Sequence, residues 1–195
     1  MLISKPLITH FETYLPFTAD EKQLIESRVT HRKVKRREHI MKTGDICRHY
    51  TFVVKGILRL YVTDADGKEH NILFAGANEW IYDIKSFHDT SPGVSNIQAI
   101  ESAEIIEIAQ QDLYFLYNNI QKLNQIFKVI TEEKYVELQN RVFHTISSTA
   151  QERYLSFLKH YPKLANRLPN TQIASYLGIT PEFLSMVRKE MLQRK

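Results

Sequence analysis

The side chains best suited to chemistry lie near the C-terminal end of the sequence, between positions 171 and 189. Donors, acceptors and cations alternate there with apolar residues at helical spacing. Such a mixture can donate to phosphate oxygens and read the edges of bases. The residues that we assign to this candidate DNA surface are Thr171, Gln172, Thr180, Glu182, Phe183, Ser185, Met186, Arg188 and Lys189.

Two short helices joined by a tight turn would hold these side chains in place. Ile173, Ala174 and Leu177 form the apolar face of a first helix, and Gly178 follows where a left-handed residue would turn the chain. Thr180 can cap the second helix, whose first position is a proline. This pattern predicts a helix-turn-helix, in which the second helix enters a DNA major groove.

Other chemistries find little support in the sequence. Cys47 is the only cysteine, which excludes an internal disulfide and a multi-cysteine metal cluster. None of the eight histidines stands in a His-Glu-x-x-His or His-x-His pattern that would place two ligands on one metal. A glycine-rich phosphate loop and a recognisable nucleophile are also missing. The sequence therefore predicts no catalytic residues, no metal, no cofactor and no enzymatic activity.

The positive charge is concentrated at one end of the chain. The 195 residues carry a formal charge of +4. Residues 149–195 contain eight basic and three acidic side chains, whereas the first 148 contain 18 and 19. A small basic module attached to a neutral body favours an anionic partner, and nucleic acid first. A second basic run, at positions 31–37, leads into a strand and reads better as a solvated edge.

The expected location is the cytoplasm, with no membrane partner. No stretch of the sequence approaches the roughly 20 apolar residues that a membrane helix requires. The first 17 residues lack the long apolar core and small-residue cleavage site of a signal peptide.

The first half of the chain predicts short strands separated by turns. Aromatic and β-branched residues dominate positions 50–55 and 57–62, and two further strands are predicted at 96–100 and 104–108. The Asp66-Gly67 pair is a strong hairpin signal. This pattern indicates an antiparallel barrel or jelly roll, followed by helices, and hence an α+β fold.

A long helix is predicted after position 109, because residues 110–148 contain neither proline nor glycine. From residue 121 onward it would be about 40 Å long, too long to be buried entirely against one small barrel. Part of it is therefore expected to pack on a second copy, although a helix folded wholly onto its own domain is the alternative. The residues assigned to this dimer helix are Leu123, Phe127, Ile130, Leu138 and Val142.

Nearly the whole chain resembles the Crp/Fnr transcription regulators. The resemblance rests on IMKTGD at 40–45, YTFVVKG at 50–56, GANEWIYD at 76–83 and QIASYLGITPEFLS at 172–185. It implies an effector domain at residues 1–109, a linking and dimerisation helix at 110–148, and a DNA-binding domain at 149–195. It also implies a homodimer that reads a palindromic operator in double-stranded DNA, with RNA polymerase as a further candidate partner.

The resemblance weakens at the segment that holds a cyclic nucleotide in other members. Their Gly-Glu pair falls at Tyr82 and Asp83, and their phosphate-binding Arg-Ser pair falls at Gly93 and Val94. Without that arginine the site lacks charge-assisted hydrogen bonds to the phosphate. We therefore expect no useful affinity for cyclic AMP, and either an unknown effector or none. The candidate effector pocket comprises Trp80, Ile81, Tyr82, Asp83, Gly93, Val94, Ser95 and Asn96.

The DNA-binding segment departs from the family as well. Too few residues flank the two helices to build a β-wing. Positions that often carry arginine are Pro181 and Met186, so a different operator is expected. Glu182 can accept from a cytosine amino group and Met186 can touch a thymine methyl. Arg188, Lys189, Arg194 and Lys195 are expected to meet phosphates. The alternative function is a ligand-binding or scaffold module in which the helix-turn-helix is only a packing unit.

Overall fold

A computed structural model describes the backbone of residues 3–193 and the side chains of residues 3–191. Arg194 and Lys195, expected to meet phosphates, lie outside the described residues. The helices are α1 (Lys5–Glu12), α2 (Ala19–Glu26), α3 (Ile84–Asp89), α4 (Gln110–Asn119), α5 (Gln121–Ser147), α6 (Ala150–His160), α7 (Asn170–Leu177) and α8 (Pro181–Gln193). The strands are β1 (Thr30–Val34), β2 (His39–Met41), β3 (His49–Lys55), β4 (Leu58–Thr63), β5 (Glu69–Ala75), β6 (Glu79–Ile81), β7 (Asn96–Ala99) and β8 (Ala103–Ala109).

The strands form two four-stranded sheets, which confirms the predicted α+β fold with an antiparallel β-domain. One sheet has the order β1-β8-β3-β6 and the other β2-β7-β4-β5. In the first sheet β8 pairs antiparallel with both β1 and β3. The basic run at 31–37 begins in β1, at the edge of this sheet, where Arg32 pairs with Glu38 at 2.6 Å.

Two helices begin with capping boxes. Thr18 and Thr149 each accept from a backbone amide three residues later, and Glu21 and Glu152 return the bond to the cap residue. Each capping box satisfies two amides that would otherwise lack partners.

Three short elements and one break were not predicted. α1, β6 and α3 are eight, three and six residues long. The long helical region is interrupted at Ile120, whose backbone angles of −131° and 87° are not helical. Because neither proline nor glycine lies at that position, no helix-breaking residue in the sequence predicts the interruption.

The chain divides into two compact units. Of the described residues, the first contains 3–62 and 73–131, and the second contains 63–72 and 132–193. An aromatic cluster forms the core of the first unit, where Trp80 lies 5.2 Å from Phe52, 5.1 Å from Phe127 and 5.9 Å from Phe11, measured between ring centroids. In the second unit Phe157, Ile173 and Leu184 are almost completely buried.

A candidate DNA-binding helix pair and a closed cassette

The helix-turn-helix geometry is present as the sequence predicts. Ile173, Ala174 and Leu177 are buried along α7, and Leu184 and Val187 are buried along α8. Gly178 follows α7 with φ 69° and ψ 34°, the left-handed conformation that glycine adopts at little cost. Thr180 Oγ1 accepts from the amide of Phe183 at 3.2 Å, which caps the start of α8.

The outward face of α8 carries a compact group of exposed side chains. Glu182, Ser185, Met186 and Lys189 follow one another at intervals of three, one and three residues, which places them on one side of the helix. Met186 is 47% exposed, although it is a large apolar residue, and Phe183 beside this face is 41% exposed. An apolar and charged face without a cover in the protomer is suited to contact a groove of DNA.

Some of the predicted DNA residues are already engaged within the second unit. Arg188 donates to Asn170 Oδ1 at 2.6 Å and lies 5.2 Å from the Tyr154 ring. The Gln172 amide oxygen accepts from the Asn71 side chain at 3.0 Å. Thr180 is used as the helix cap, whereas Thr171 is exposed. The exposed face of α8 and Thr171 are therefore better placed for DNA than Gln172, Thr180 or Arg188.

A polar network supports α7 from behind. Asn71, which is completely buried, donates through its side chain to the Gln172 carbonyl oxygen at 3.0 Å. Its own amide donates to Ser175 Oγ at 3.1 Å, and that hydroxyl donates to the Glu69 carbonyl oxygen at 2.8 Å. These bonds tie residues 69–71 to two successive turns of α7.

Arg141 completes this network from α5. Its guanidinium donates to the carbonyl oxygens of Asn71 at 2.9 Å and Tyr176 at 3.2 Å, and also to that of Ile72. It lies 4.1 Å from the Tyr176 ring centroid, within cation–π range. Sequence reasoning missed both Asn71 and Arg141. An asparagine is unusual inside a strand, and that was the one available signal.

A second cluster in the same unit surrounds Glu137. Its carboxylate accepts from His160 Nε2 at 2.7 Å, from Lys134 at 2.9 Å and from the Tyr161 hydroxyl at 3.1 Å. Burial alone would raise the pKa of Glu137, but the bonds from His160 and Lys134 outweigh burial and lower that pKa to about 2. The cluster joins α5 to the end of α6.

Residues 76–96, here named the cassette, contain the segment that resembles the nucleotide-binding site of Crp/Fnr regulators. The polar groups of the cassette are satisfied within the first unit. Asp83 accepts from the amide of Ser86 at 3.0 Å, which caps α3, and its other oxygen accepts from the Ser95 hydroxyl. The Ser86 hydroxyl donates to the Ser91 carbonyl oxygen at 2.6 Å and accepts from the Cys47 amide at 2.8 Å. A carboxylate at this place would repel an anionic ligand.

Gly93, at the position of the family arginine, is tightly enclosed. Its amide donates to the Asp45 carbonyl oxygen at 2.8 Å, and its own carbonyl accepts from Gly44 at 2.9 Å. A Cβ atom at position 93 would overlap the end of the Met41 side chain and lie 3.0 Å from Asp83 Oδ2. The backbone of Gly93 is thus occupied, and a longer side chain has no space without rearrangement.

The remaining residues of the predicted effector pocket are dispersed. Trp80, Ile81 and Ser95 are buried, whereas Val94 is 73% exposed. Asn96 exchanges hydrogen bonds with Thr43 at 3.0 Å. The structure therefore brings Asp83, Gly93 and Ser95 together and assigns Trp80 and Ile81 to the core. Tyr82 stacks on Tyr50 instead.

Arg59 and Lys85, the two cations considered as substitutes for the missing arginine, are committed elsewhere. Arg59 is buried and donates to Gln98 Oε1 through Nη2 at 2.6 Å and Nε at 3.1 Å. Lys85 pairs with Asp89 at 2.8 Å at the surface. A cavity of about 500 Å³ lies between the sheets; Arg32, Met41, Thr51 and Glu107 are among its lining residues.

Cys47 is a buried thiol. It is 6% exposed, and burial raises the pKa of its thiol. A protonated, covered sulfur is a poor nucleophile, which favours a structural role for this side chain.

The residues assigned to the dimer helix fall into two groups. Leu123, Phe127 and Ile130 are at most 5% exposed and pack inside the first unit of their own protomer. Leu138 and Val142 are 51% and 50% exposed. Helical periodicity marks all five as apolar positions, but it cannot tell which part of α5 is covered by its own chain.

Comparisons with known proteins agree with this architecture. Residues 31–119 match the family model of the cyclic nucleotide-binding domain. A comparison with curated protein sequences finds no significant match. Among the described residues, no helix is both long and apolar enough to cross a bilayer, and no group of three His, Cys, Asp or Glu side chains could hold a metal.

Solved structures share the fold at low sequence identity. FixK2 from Bradyrhizobium japonicum superposes with a TM-score of 0.72 at 17% identity, covering 85% of each chain. The c-di-GMP-responsive global regulator CLP from Xanthomonas campestris gives 0.71 at 14% identity, covering 91% of this chain and 93% of its own. A protein of Eubacterium rectale assigned to the Crp/Fnr transcriptional regulators gives 0.71 at 14% identity, covering 95% and 88%.

These matches show the fold. The chain combines a cyclic nucleotide-binding-type β-domain with a long helix and C-terminal helices. It has the Crp/Fnr architecture, as its sequence motifs predict.

Proposed function

We propose that this chain is a sequence-specific DNA-binding transcription regulator of the Crp/Fnr type that does not respond to cyclic AMP. The observation that carries the proposal is the outward face of α8, where Glu182, Ser185, Met186 and Lys189 are exposed on a capped helix joined to α7 through Gly178. Its location in the cytoplasm and its lack of enzymatic activity are part of the same proposal.

The proposed molecule is a homodimer that contacts a palindromic operator. In each protomer α8 would enter a major groove, with Glu182 and Met186 near base edges and Lys189 near phosphate. Half-sites would then be centred about 34–36 Å apart, one helical turn of DNA. Residues 149–193 contain helices and turns and no strand.

The proposed division of labour follows the sequence. Residues 1–109 would form the effector-type domain, 110–148 the linking and dimerisation segment, and 149–195 the DNA-binding domain. The effector-type domain would either bind an unknown small molecule or have no effector. RNA polymerase is a further candidate partner. The lack of a cyclic AMP response is supported by the enclosed backbone of Gly93 and by the carboxylate of Asp83.

The decisive experiment is selection of bound duplexes from a randomised DNA pool, without effector, at about 150 mM salt. Recovery of a palindrome would support the proposal and supply the operator. Recovery of no sequence, with and without cell extract, would favour the scaffold alternative, in which the two helices are only a packing unit.

A second measurement separates base reading from phosphate contact. Lys189→Ala should weaken binding to all sequences and lower the slope of log K against log salt by about one. Met186→Ala should instead change which sequences are preferred. An unchanged slope and an unchanged preference would contradict these assignments.

A further inference from the structure

A continuous chain of hydrogen-bonded side chains runs through the cassette. Tyr82 is bonded to Tyr50 and to Thr131. The Tyr50 hydroxyl lies 3.0 Å from His88 Nε2, and His88 Nδ1 lies 3.0 Å from the Tyr114 hydroxyl. This chain connects α5, the segment after β6, β3, α3 and α4, so five parts of the first unit meet through these five side chains.

Tyr82 is the central member of this chain in both packing and polarity. Its ring stacks on that of Tyr50, with the centroids 3.6 Å apart and the planes 12° from parallel. Burial raises the pKa of Tyr82, as expected for a phenol held among other side chains. Both the ring and the hydroxyl of this side chain are therefore used inside the unit.

The partner of Tyr82 on α5 occupies a particular place. Thr131 directly follows Ile130, the last of the buried apolar residues of α5. Tyr135, Leu138 and Val142 follow Thr131 at intervals of four, three and four residues, which places all of them along one side of the helix. These three are 60%, 51% and 50% exposed. Tyr82 thus holds α5 at the start of its exposed apolar stripe.

We propose that Tyr82 is a built-in ligand of the cassette, which fixes α5 without any small molecule. The phenol group is part of the protein and performs the bridging between β3 and α5 through stacking and hydrogen bonding. Operator binding then requires no effector. That last statement rests on the proposed function, whereas the occupancy of the cassette by the phenol does not.

The test removes the phenol and supplies it again from solution. Tyr82→Gly deletes a side chain whose free counterpart is p-cresol, and small aromatic molecules can bind cavities created in this way. Without added compound, the variant should bind the selected operator at least about tenfold more weakly, a loss of about 1.4 kcal/mol. Millimolar p-cresol should restore the affinity to near that of the unchanged protein.

Three controls make the result specific. Toluene has the same shape without the hydroxyl, so it should restore less of the affinity than p-cresol. The unchanged protein, whose cassette is already filled, should not respond to p-cresol. Tyr82→Phe keeps the ring and the packing, so it remains folded if Tyr82→Gly does not, and it should show faster hydrogen exchange in α5 near Thr131.

The outcomes separate this inference from the proposed function. The inference would be overturned if Tyr82→Gly bound the operator as tightly as the unchanged protein does. It would also be overturned if p-cresol bound to the variant without restoring the protection of α5 against hydrogen exchange. If the unchanged protein binds no DNA, the proposed function fails, but hydrogen exchange in α5 with and without p-cresol still decides whether Tyr82 fixes the helix. Unaltered α5 exchange in both Tyr82 variants would overturn it regardless of DNA.

Discussion

Single residues decide whether the cassette can accept a nucleotide. In the sequence, Gly93 is conspicuous only as a missing arginine. In the structure it is also a packed backbone position, because Met41, Asp83 and Ser86 surround the place of its absent Cβ. The absence of an arginine could be predicted, but the lack of room could not, since packing between distant segments leaves no mark in a local pattern.

Restoring the family residue should therefore not restore the family ligand. We expect Gly93→Arg to lower the free energy of unfolding by about 1–3 kcal/mol through overpacking. Calorimetric titration should detect no cyclic AMP binding to this variant. The double variant Gly93→Ala/Met41→Ala should lose less free energy of unfolding than the sum of the losses in the two single variants, because the smaller neighbour makes room for the new Cβ. Nucleotide binding by Gly93→Arg would contradict our account of the cassette.

The Glu137 cluster predicts a pH-dependent contribution to stability. Because its pKa falls from 4.5 to about 2 on folding, Glu137 stabilises the protein above about pH 4.5, and this contribution is lost as the pH falls toward 2. The contribution is at most about 3.4 kcal/mol. Thermal unfolding of Glu137→Gln should show a deficit at pH 7 that narrows steadily toward pH 3.

Glu133→Gln is the matched control for this cluster, because Glu133 is exposed on the same helix. Its unfolding temperature should follow that of the unchanged protein at every pH. A deficit in Glu137→Gln that stays constant from pH 7 to pH 3 would contradict the role given to this carboxylate.

At the scale of elements, residue types correctly predicted the features that depend on local backbone chemistry, such as turns. The left-handed Gly178 and the strands around the Asp66-Gly67 turn were both recognised from residue types. α1, β6 and α3 were missed because elements of three to eight residues depend on tertiary contacts for their stability. The break at Ile120 was missed for the same reason.

The turn between α7 and α8 should be sensitive to a single methyl group. Gly178 has open space around its absent Cβ, so the cost of Gly178→Ala is conformational and should be about 1 kcal/mol. If this turn sets the angle of α8, operator affinity should fall as well. Gly44→Ala is the matched control, since Gly44 has φ 92° and open space but lies in the first unit. Chemical denaturation and DNA titration would separate the two effects.

The network behind α7 should depend on the forked shape of arginine. Arg141→Lys keeps the charge but cannot donate to the carbonyl oxygens of Asn71, Ile72 and Tyr176 together. We expect a loss of about 1–3 kcal/mol and faster hydrogen exchange at residues 69–72 and 170–177. Arg36→Lys, at an exposed position, should change neither. Unchanged exchange in Arg141→Lys would show that the network does not hold α7.

At the scale of the whole molecule, the two halves of α5 have different surroundings. Residues 123–130 supply buried side chains to the first unit, whereas residues 135–146 present exposed apolar ones, of which Phe143 and Ile146 are 63% and 80% exposed. The apolar periodicity could be predicted from the sequence. Which half is covered by the protomer itself depends on the folded β-domain and could not.

The exposed half should be the contact between two copies. Leu138→Asp should convert the proposed dimer to a single chain of 22.9 kDa in sedimentation equilibrium, because a charge in an apolar interface remains unpaired. Affinity for a palindromic operator should fall with it. Glu133→Lys changes charge on another side of the helix and should leave the mass unchanged. A dimer that survives Leu138→Asp would place the contact elsewhere.

The covered thiol of Cys47 has a practical consequence for kinetics. Because it is the sole sulfhydryl in the chain and its amide is bonded to Ser86, a thiol-directed chromophore can react only when this corner of the cassette opens. Under conditions where reclosing is faster than labelling, the labelling rate reports the population of the open form. Cys47 is therefore an intrinsic probe of cassette opening, and no engineered cysteine is needed.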